Sequence, residues 1–144
     1  MGRKYLALPG LLLWTAMIFT LSSQSQPPGQ GTGGGLLWGH SDLLVHAAIY
    51  LVLGFLLATA LRVHVSGGRV GLRYLWVVAG VVVAGGVDEL YQGTVSGRTT
   101  SLLDLSADAV GGLGAVLTAL VLARYGYRLR LKGKGPRDKI LVDG

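Results

Sequence analysis

Polar residues interrupt this chain at long intervals, and four apolar runs lie between them. The first, Tyr5–Leu21, follows Arg3 and Lys4; at about 17 residues it is near the lower limit for a helix that crosses a bilayer. Pro9 falls in its first turns, where a missing N–H does least harm. The second, about Leu43–Val63, begins after Ser41 and Asp42, either of which can cap a helix N-terminus. Arg62 can snorkel at its far end, and Gly67-Gly68 forces a turn. The third, Leu72–Tyr91, is rich in valine and glycine, but its length and its neighbours favour a membrane helix over a strand. The fourth, Leu102–Ala123, repeats small residues every fourth position at Ala107, Gly111 and Ala115, a spacing that lets helix backbones approach. Between the first two runs, the uncharged Gly/Pro/Gln-rich stretch Gln26–Gly35 reads as an irregular loop, and Trp38 as an interfacial aromatic anchor.

The pattern predicts an all-α fold: a polytopic membrane protein with four transmembrane helices in a bundle, spanning about 5–22, 43–63, 72–91 and 102–123. Residues 1–125 form one membrane domain, and 126–144 a basic, flexible tail. Arg3 and Lys4 would also suit the n-region of a signal peptide, but no A-x-A site follows Leu21, so a retained anchor is expected.

Composition narrows the class. Only 14% of residues are charged, against about 25% in soluble domains, and 51% are hydrophobic. There is no cysteine, which excludes a disulfide framework, a thiol nucleophile and a cysteine metal site. The net charge of +6 does not indicate nucleic acid, because seven of the thirteen Lys/Arg stand at or beyond Arg124 and the others mark the ends of apolar runs. With both termini cytoplasmic, twelve of the thirteen lie on one side, and Arg98 is the exception. The basic tail would then lie against anionic headgroups.

This orientation gathers the polar residues at the outer face. Span two begins there with Asp42, His46 and Tyr50, spaced four apart and so forming one stripe about 12 Å long. Span three ends there with Asp88, Glu89 and Gln92, and span four begins there with Asp104 and Asp108, one turn apart. Arg98 lies in the loop between them, and Asp108 lies well inside an apolar run, where an ionisable residue is costly and usually functional. Together these stripes predict a polar pocket descending about one-third of the bilayer.

Five carboxylates in a low-dielectric pocket cannot all stay ionised without compensation. Arg98, a protonated His46, shared protons, a bound metal or a cationic ligand would each serve. His46 with Glu89, Asp104 or Asp108 makes an oxygen/nitrogen set suited to a divalent metal, although no H-E-x-x-H motif is present. A metal-free hydrolase would use Glu89 or His46 as base, with Ser96, Thr99, Thr100 and Ser101 close by, but no nucleophile motif surrounds them.

Several of these residues form an ordered set: Ser22-Ser23-Gln24; Asp42, His46 and Tyr50; Asp88, Glu89 and Gln92; Gly97 and Arg98; Asp104, Asp108 and Gly111. The set resembles the VanZ-like family of bacterial integral membrane proteins over almost the whole chain except the tail. Leu43 stands where a basic residue often follows the first Asp in that family, and Asp108 where Asn is common. The resemblance implies a multi-pass protein of the bacterial plasma membrane, in a family whose label is teicoplanin (glycopeptide) resistance.

The expected function is recognition or modification of a cell-envelope molecule, an envelope lipid or a glycopeptide, in an outward-facing acidic pocket. Two rivals stand beside it. One is a membrane-embedded hydrolase or transferase, metal-assisted or not, acting on a lipid-linked substrate. The other is a small transporter, disfavoured because the cytoplasmic halves of the spans carry no acidic residue. Ligand, metal dependence and oligomeric state stay open at this level.

The orientation is directly testable, because the natural background contains no cysteine. Single cysteines at Thr32 and Thr99 should react with an impermeant maleimide added outside intact cells. Reaction only after permeabilisation would invert the topology.

Overall fold

The computed structural model describes residues 2–24, 38–65 and 69–133, with side chains for 6–24, 43–65 and 69–125. The chain folds into four helices, α1 (Gly2–Ser22), α2 (Trp38–His64), α3 (Val70–Gln92) and α4 (Leu102–Gly133), and no strand occurs among the described residues. Helices are the economical answer for such a sequence, because they satisfy backbone polar groups within each segment where no water can. Isolated hydroxyls in the apolar stretches follow the same rule. Thr15 donates to the Leu11 carbonyl, Thr20 to Ala16, Thr59 to Phe55 and Thr118 to Gly114, each one turn back.

The distribution of side chains is inverted relative to a water-soluble protein. Leu44, Trp76, Leu90, Leu102 and Leu117 are among many large apolar residues left exposed, while Asp88, Gln92 and Asp108 are fully buried. Three stretches, Leu43–His64, Val70–Gln92 and Leu102–Tyr125, are long and apolar enough to cross a membrane. The described apolar part of α1, Leu6–Ser22, is shorter.

α2 and α3 each touch every other helix, whereas α1 and α4 occupy opposite corners and do not meet among the described residues. A hydrogen bond between Gln92 and Ser22 brings together the C-terminal ends of α3 and α1. A bond between His46 and Asp108 joins the N-terminal portions of α2 and α4. Helix directions therefore alternate, and the polar ends of all four helices share one end of the bundle. Below them sits an apolar cluster of Ile18, Tyr50, Leu53 and Val81, flanked by Leu11, Trp14, Ile49 and Ala84. The Trp14 indole N–H donates to the Ile49 carbonyl at 3.0 Å, which ties α1 to α2.

Several boundaries differ from the sequence pattern. α2 begins at Trp38, so Ser41 and Asp42 lie inside the helix and neither is its N-cap. The segment Trp38-Gly39-His40 contains no proline to stop the helix, which gains a turn upstream. The side chains of Trp38 and Asp42, the loop Gln26–Gly35 and the turn at Gly67-Gly68 lie outside the described residues. α4 runs to Gly133 rather than Ala123, into the stretch expected to be tail, because arginine and leucine continue the helix and the first proline stands only at Pro136. Residues 134–144 lie outside the described part.

The small-residue repeat of α4 serves contacts inside this bundle. A Cβ added at Gly111 would stand 2.8 Å from the Leu51 amide nitrogen and closer still to the Ala47 carbonyl, so α2 and α4 meet backbone to backbone there. Gly111→Val should destabilise the protein by about 3 kcal/mol, the upper end for overpacking, because the obstacle is main chain rather than a flexible side chain. Gly86→Ala, where an added Cβ meets nothing within 4 Å, should be neutral or stabilise by roughly 0.5–1 kcal/mol. Denaturation in mixed micelles would compare the two, and equal losses would refute the backbone contact.

Candidate functional site

The polar end of the bundle is built from short local choices. On α2, His46 and Tyr50 stand one turn apart on the buried face, their rings nearly parallel at 7° with centroids 6.4 Å apart. On α3, Asp88 and Gln92 are likewise one turn apart, and the Gln92 amide donates to Asp88 Oδ2 at 2.9 Å. The loop after α3 curls back over the helix ends: Thr94, Val95 and Arg98 donate their N–H groups to the carbonyls of Tyr91, Gln92 and Val95. Gly97 adopts φ 83°, which a side chain would strain.

Ser101 joins the loop to α4. Its hydroxyl accepts the Asp104 N–H at 3.2 Å, as an N-cap residue does. The Ser101 N–H in turn donates to Glu89 Oε2 at 2.7 Å. In a capping box that bond would come from the third residue of the same helix, here Asp104. Glu89 of α3 makes it instead, which locks α3 to the start of α4.

Asp108 is completely buried, and the His46 ring Nδ1 lies 3.0 Å from its Oδ1. Its other oxygen rests against Gly85, where a Cβ would come within 2.6 Å of Oδ2. Gly85 therefore makes room for a carboxylate and does not serve helix contact alone.

The residues expected in one pocket fall into two groups, or compartments, that share His46. Between α1, α2 and α3 lies a cavity of about 150 Å³, lined by Ser22, His46, Tyr50, Asp88, Gln92 and Arg98 and by apolar residues including Ile18, Leu21, Val45 and Ile49. On the α4 side, a ring nitrogen of His46 and carboxylate oxygens of Glu89 and Asp104 lie within 4.8 Å of one another, close enough to hold a metal ion. Glu89, Asp104 and Asp108 do not line the cavity.

Among the described residues, Arg98 makes no direct ion pair with a carboxylate. It donates to Gln92 Oε1, and Gln92 passes the contact on to Asp88 and Ser22. Ser96, Thr99 and Thr100 are exposed, and the Ser101 hydroxyl caps α4, so none of these four is presented to the site as a nucleophile. Two contributors went unread in the sequence as site residues. Ser22 belongs to the Ser-Ser-Gln motif, and its position at the end of the first apolar run was the available signal. Gly85 had none, because its role depends on a residue of another helix.

Four buried oxygens at this end have no hydrogen-bond partner among the described residues: Tyr50 Oη, Asp88 Oδ1, Glu89 Oε1 and Asp108 Oδ2. The Tyr50 hydroxyl faces the Asp88 carboxylate without the alignment of a hydrogen bond. Each such atom costs about 1–3 kcal/mol if left unpaired, so this corner is where a hydrogen-bonding partner, water or ligand, is most strongly favoured.

The chain matches no protein-family model, no curated protein and no solved structure. Fold and site thus define a class: an all-helical protein, three of whose helices can cross a membrane by length and composition, with buried ionisable residues gathered at one end.

Asp108→Ala should destabilise the protein by about 3 kcal/mol, because it breaks a buried hydrogen-bonded contact with His46 and leaves a cavity. Asp108→Asn should cost less, since the amide oxygen still accepts from the ring. Thermal unfolding in detergent would rank the two, and equal costs would show that the Oδ1 contact contributes nothing.

Proposed function

We propose that this chain is a VanZ-like protein of the bacterial plasma membrane that holds the headgroup of a cell-envelope molecule in the cavity between α1, α2 and α3. In this reading the chain spans the membrane four times, both termini are cytoplasmic and the cavity faces the outer leaflet. The placement of basic residues supports that orientation. The residues that carry the VanZ resemblance support the family: Ser22, His46, Asp88, Gln92, Arg98 and Asp108, scattered along the sequence, gather at one end of the bundle.

One observation carries the ligand. The cavity is lined by Tyr50 and Asp88, whose Oη and Oδ1 make no aligned hydrogen bond, and by Arg98. Acceptors of this kind suit an ammonium or a hydroxyl, and a guanidinium suits an anionic oxygen. A zwitterionic or sugar-bearing headgroup supplies both. Small-molecule sites usually enclose roughly 300–1,000 Å³. At about 150 Å³ the cavity takes the tip of a ligand whose remainder lies in the bilayer, and it is too small to enclose a glycopeptide.

A second reading, a metal-assisted hydrolase or transferase acting on a lipid-linked substrate, is favoured by the proximity of His46, Glu89 and Asp104.

Native mass spectrometry of the protein released from nanodiscs made with total bacterial lipid tests the first reading. The wild type should retain one headgroup class selectively. Asp88→Asn should retain it roughly tenfold less or worse, given about 1.5–3 kcal/mol for a charge-assisted hydrogen bond. An unselective lipid profile, identical in wild type and variant, would refute headgroup binding in this cavity.

A further inference from the structure

We infer that His46, Glu89 and Asp104 form a binding site for a divalent first-row cation on the α4 side of the bundle, with Asp108 as the residue that orients His46. The site lies outside the headgroup cavity and shares only His46 with it. It therefore stands whether or not the cavity holds a lipid.

Geometry is the first support. The three candidate ligand atoms come from three helices and fall within 4.8 Å of one another. Two ligand atoms of one ion stand at most about twice the 2.0–2.2 Å bond length apart. In a tetrahedral site ligand atoms stand about 3.3–3.6 Å apart, so atoms up to 4.8 Å apart draw together by as much as roughly 1.2–1.5 Å, a shift to which the Asp104 side chain, at the partly exposed start of α4, contributes.

The second support is independent of the clustering. Glu89 is only 5% exposed, and Ser101 engages its Oε2, yet Oε1 has no partner. A buried carboxylate oxygen left unpaired, beside a second carboxylate and an imidazole, has a missing electrophile as its simplest complement.

Charge points the same way. Asp88, Glu89, Asp104 and Asp108 meet Arg98 as the sole Lys or Arg between Arg73 and Arg124, and Arg98 is bonded to the Gln92 amide rather than to any of them. A dication between Glu89 and Asp104 offsets two of the charges that Arg98 does not.

The His46–Asp108 contact fits a metal better than it fits packing alone. A metal-bound histidine ordinarily gives its other ring N–H to a carboxylate, which fixes the tautomer and raises the basicity of the ligating nitrogen. With Nδ1 at 3.0 Å from Asp108 Oδ1, the ion is assigned to Nε2. Gly85 then belongs to the same device, because it admits the orienting carboxylate.

The donor set selects the ion class. One imidazole and two carboxylates suit zinc or manganese. Calcium asks for six to eight oxygens, and copper(I) for sulfur. Three protein ligands leave a coordination position open, the arrangement of catalytic rather than structural zinc.

The test uses the full chain in detergent, purified without a polyhistidine tag, stripped with chelator and titrated separately with Zn²⁺, Mn²⁺ and Co²⁺. Bound metal is counted by plasma mass spectrometry after desalting, and cobalt coordination is read from its visible absorption. The wild type should hold one equivalent of zinc or manganese, melt at a higher temperature with metal, and give a cobalt spectrum of mixed nitrogen and oxygen ligation.

Asp104→Asn and Glu89→Gln should bind at background where the wild type is saturated. Asp108→Asn should still reach one equivalent, but with affinity about 10–100-fold weaker, as for other outer-shell partners. Asp88→Asn, which alters the cavity, should leave the stoichiometry unchanged, and this separates the metal site from the headgroup reading. Asp104 guards against loss of fold, since its side chain is only partly buried. Failure of the folded wild type to bind any of the three metals up to millimolar concentration would overturn the site, as would wild-type binding by both Asp104→Asn and Glu89→Gln. Unweakened binding by Asp108→Asn would overturn the orienting role alone.

Discussion

A carboxylate with no exposure at all, set among helices that expose leucine and valine, is the constraint on which this structure turns. Asp108 can exist there only if the surrounding chain answers it. The answer comes from three directions: His46 of α2 at 3.0 Å, a groove in α3 at Gly85, and the backbone contact at Gly111 that holds α2 close. Gly111 and Gly112 lie one turn beyond Asp108 on the same face of α4, so the close approach and the polar pair are parts of one contact. If the helices separated, the buried charge would lose its partner. If the charge were lost, the reason for so tight an approach at this end would go with it.

The remaining polar groups are ordered outward from that pair. Glu89 completes the cap of α4 and so determines where the helix begins relative to α3. Gln92 spends its amide on Asp88 and Ser22 and its oxygen on Arg98, which links α1 and the loop to α3. Asp88, Glu89 and Asp108 each engage one carboxylate oxygen in a structural hydrogen bond and leave the other without a partner. That division accounts for the presence of a site in so small a bundle: the atoms that hold the helices together also present the ones that are left over.

His46 connects the two compartments. Its ring stacks near Tyr50, which faces Asp88 and the cavity, and its Nδ1 is turned to the Asp108 carboxylate.

The hydrophobic pattern by itself determined that the chain is helical and roughly where each helix runs, because an apolar segment of this length has few other ways to satisfy its backbone. It also marked His46, Tyr50, Asp88, Glu89, Gln92, Arg98, Asp104 and Asp108 as exceptional, since ionisable residues at the edge of apolar runs are rare for energetic reasons. Spacing alone placed pairs on common faces, as with Asp88 and Gln92. Three matters were decided only by the tertiary structure. Asp108 belongs with His46, and not with Asp104 one turn away, because partnership follows helix contact rather than sequence spacing. The expected pocket residues fall into two groups, the lining of a cavity against α1 and a carboxylate cluster that includes α4, because α1 and α4 occupy opposite corners. Gly85 is a recess for a carboxylate, a role invisible in its own segment because what a glycine makes room for is supplied by another helix.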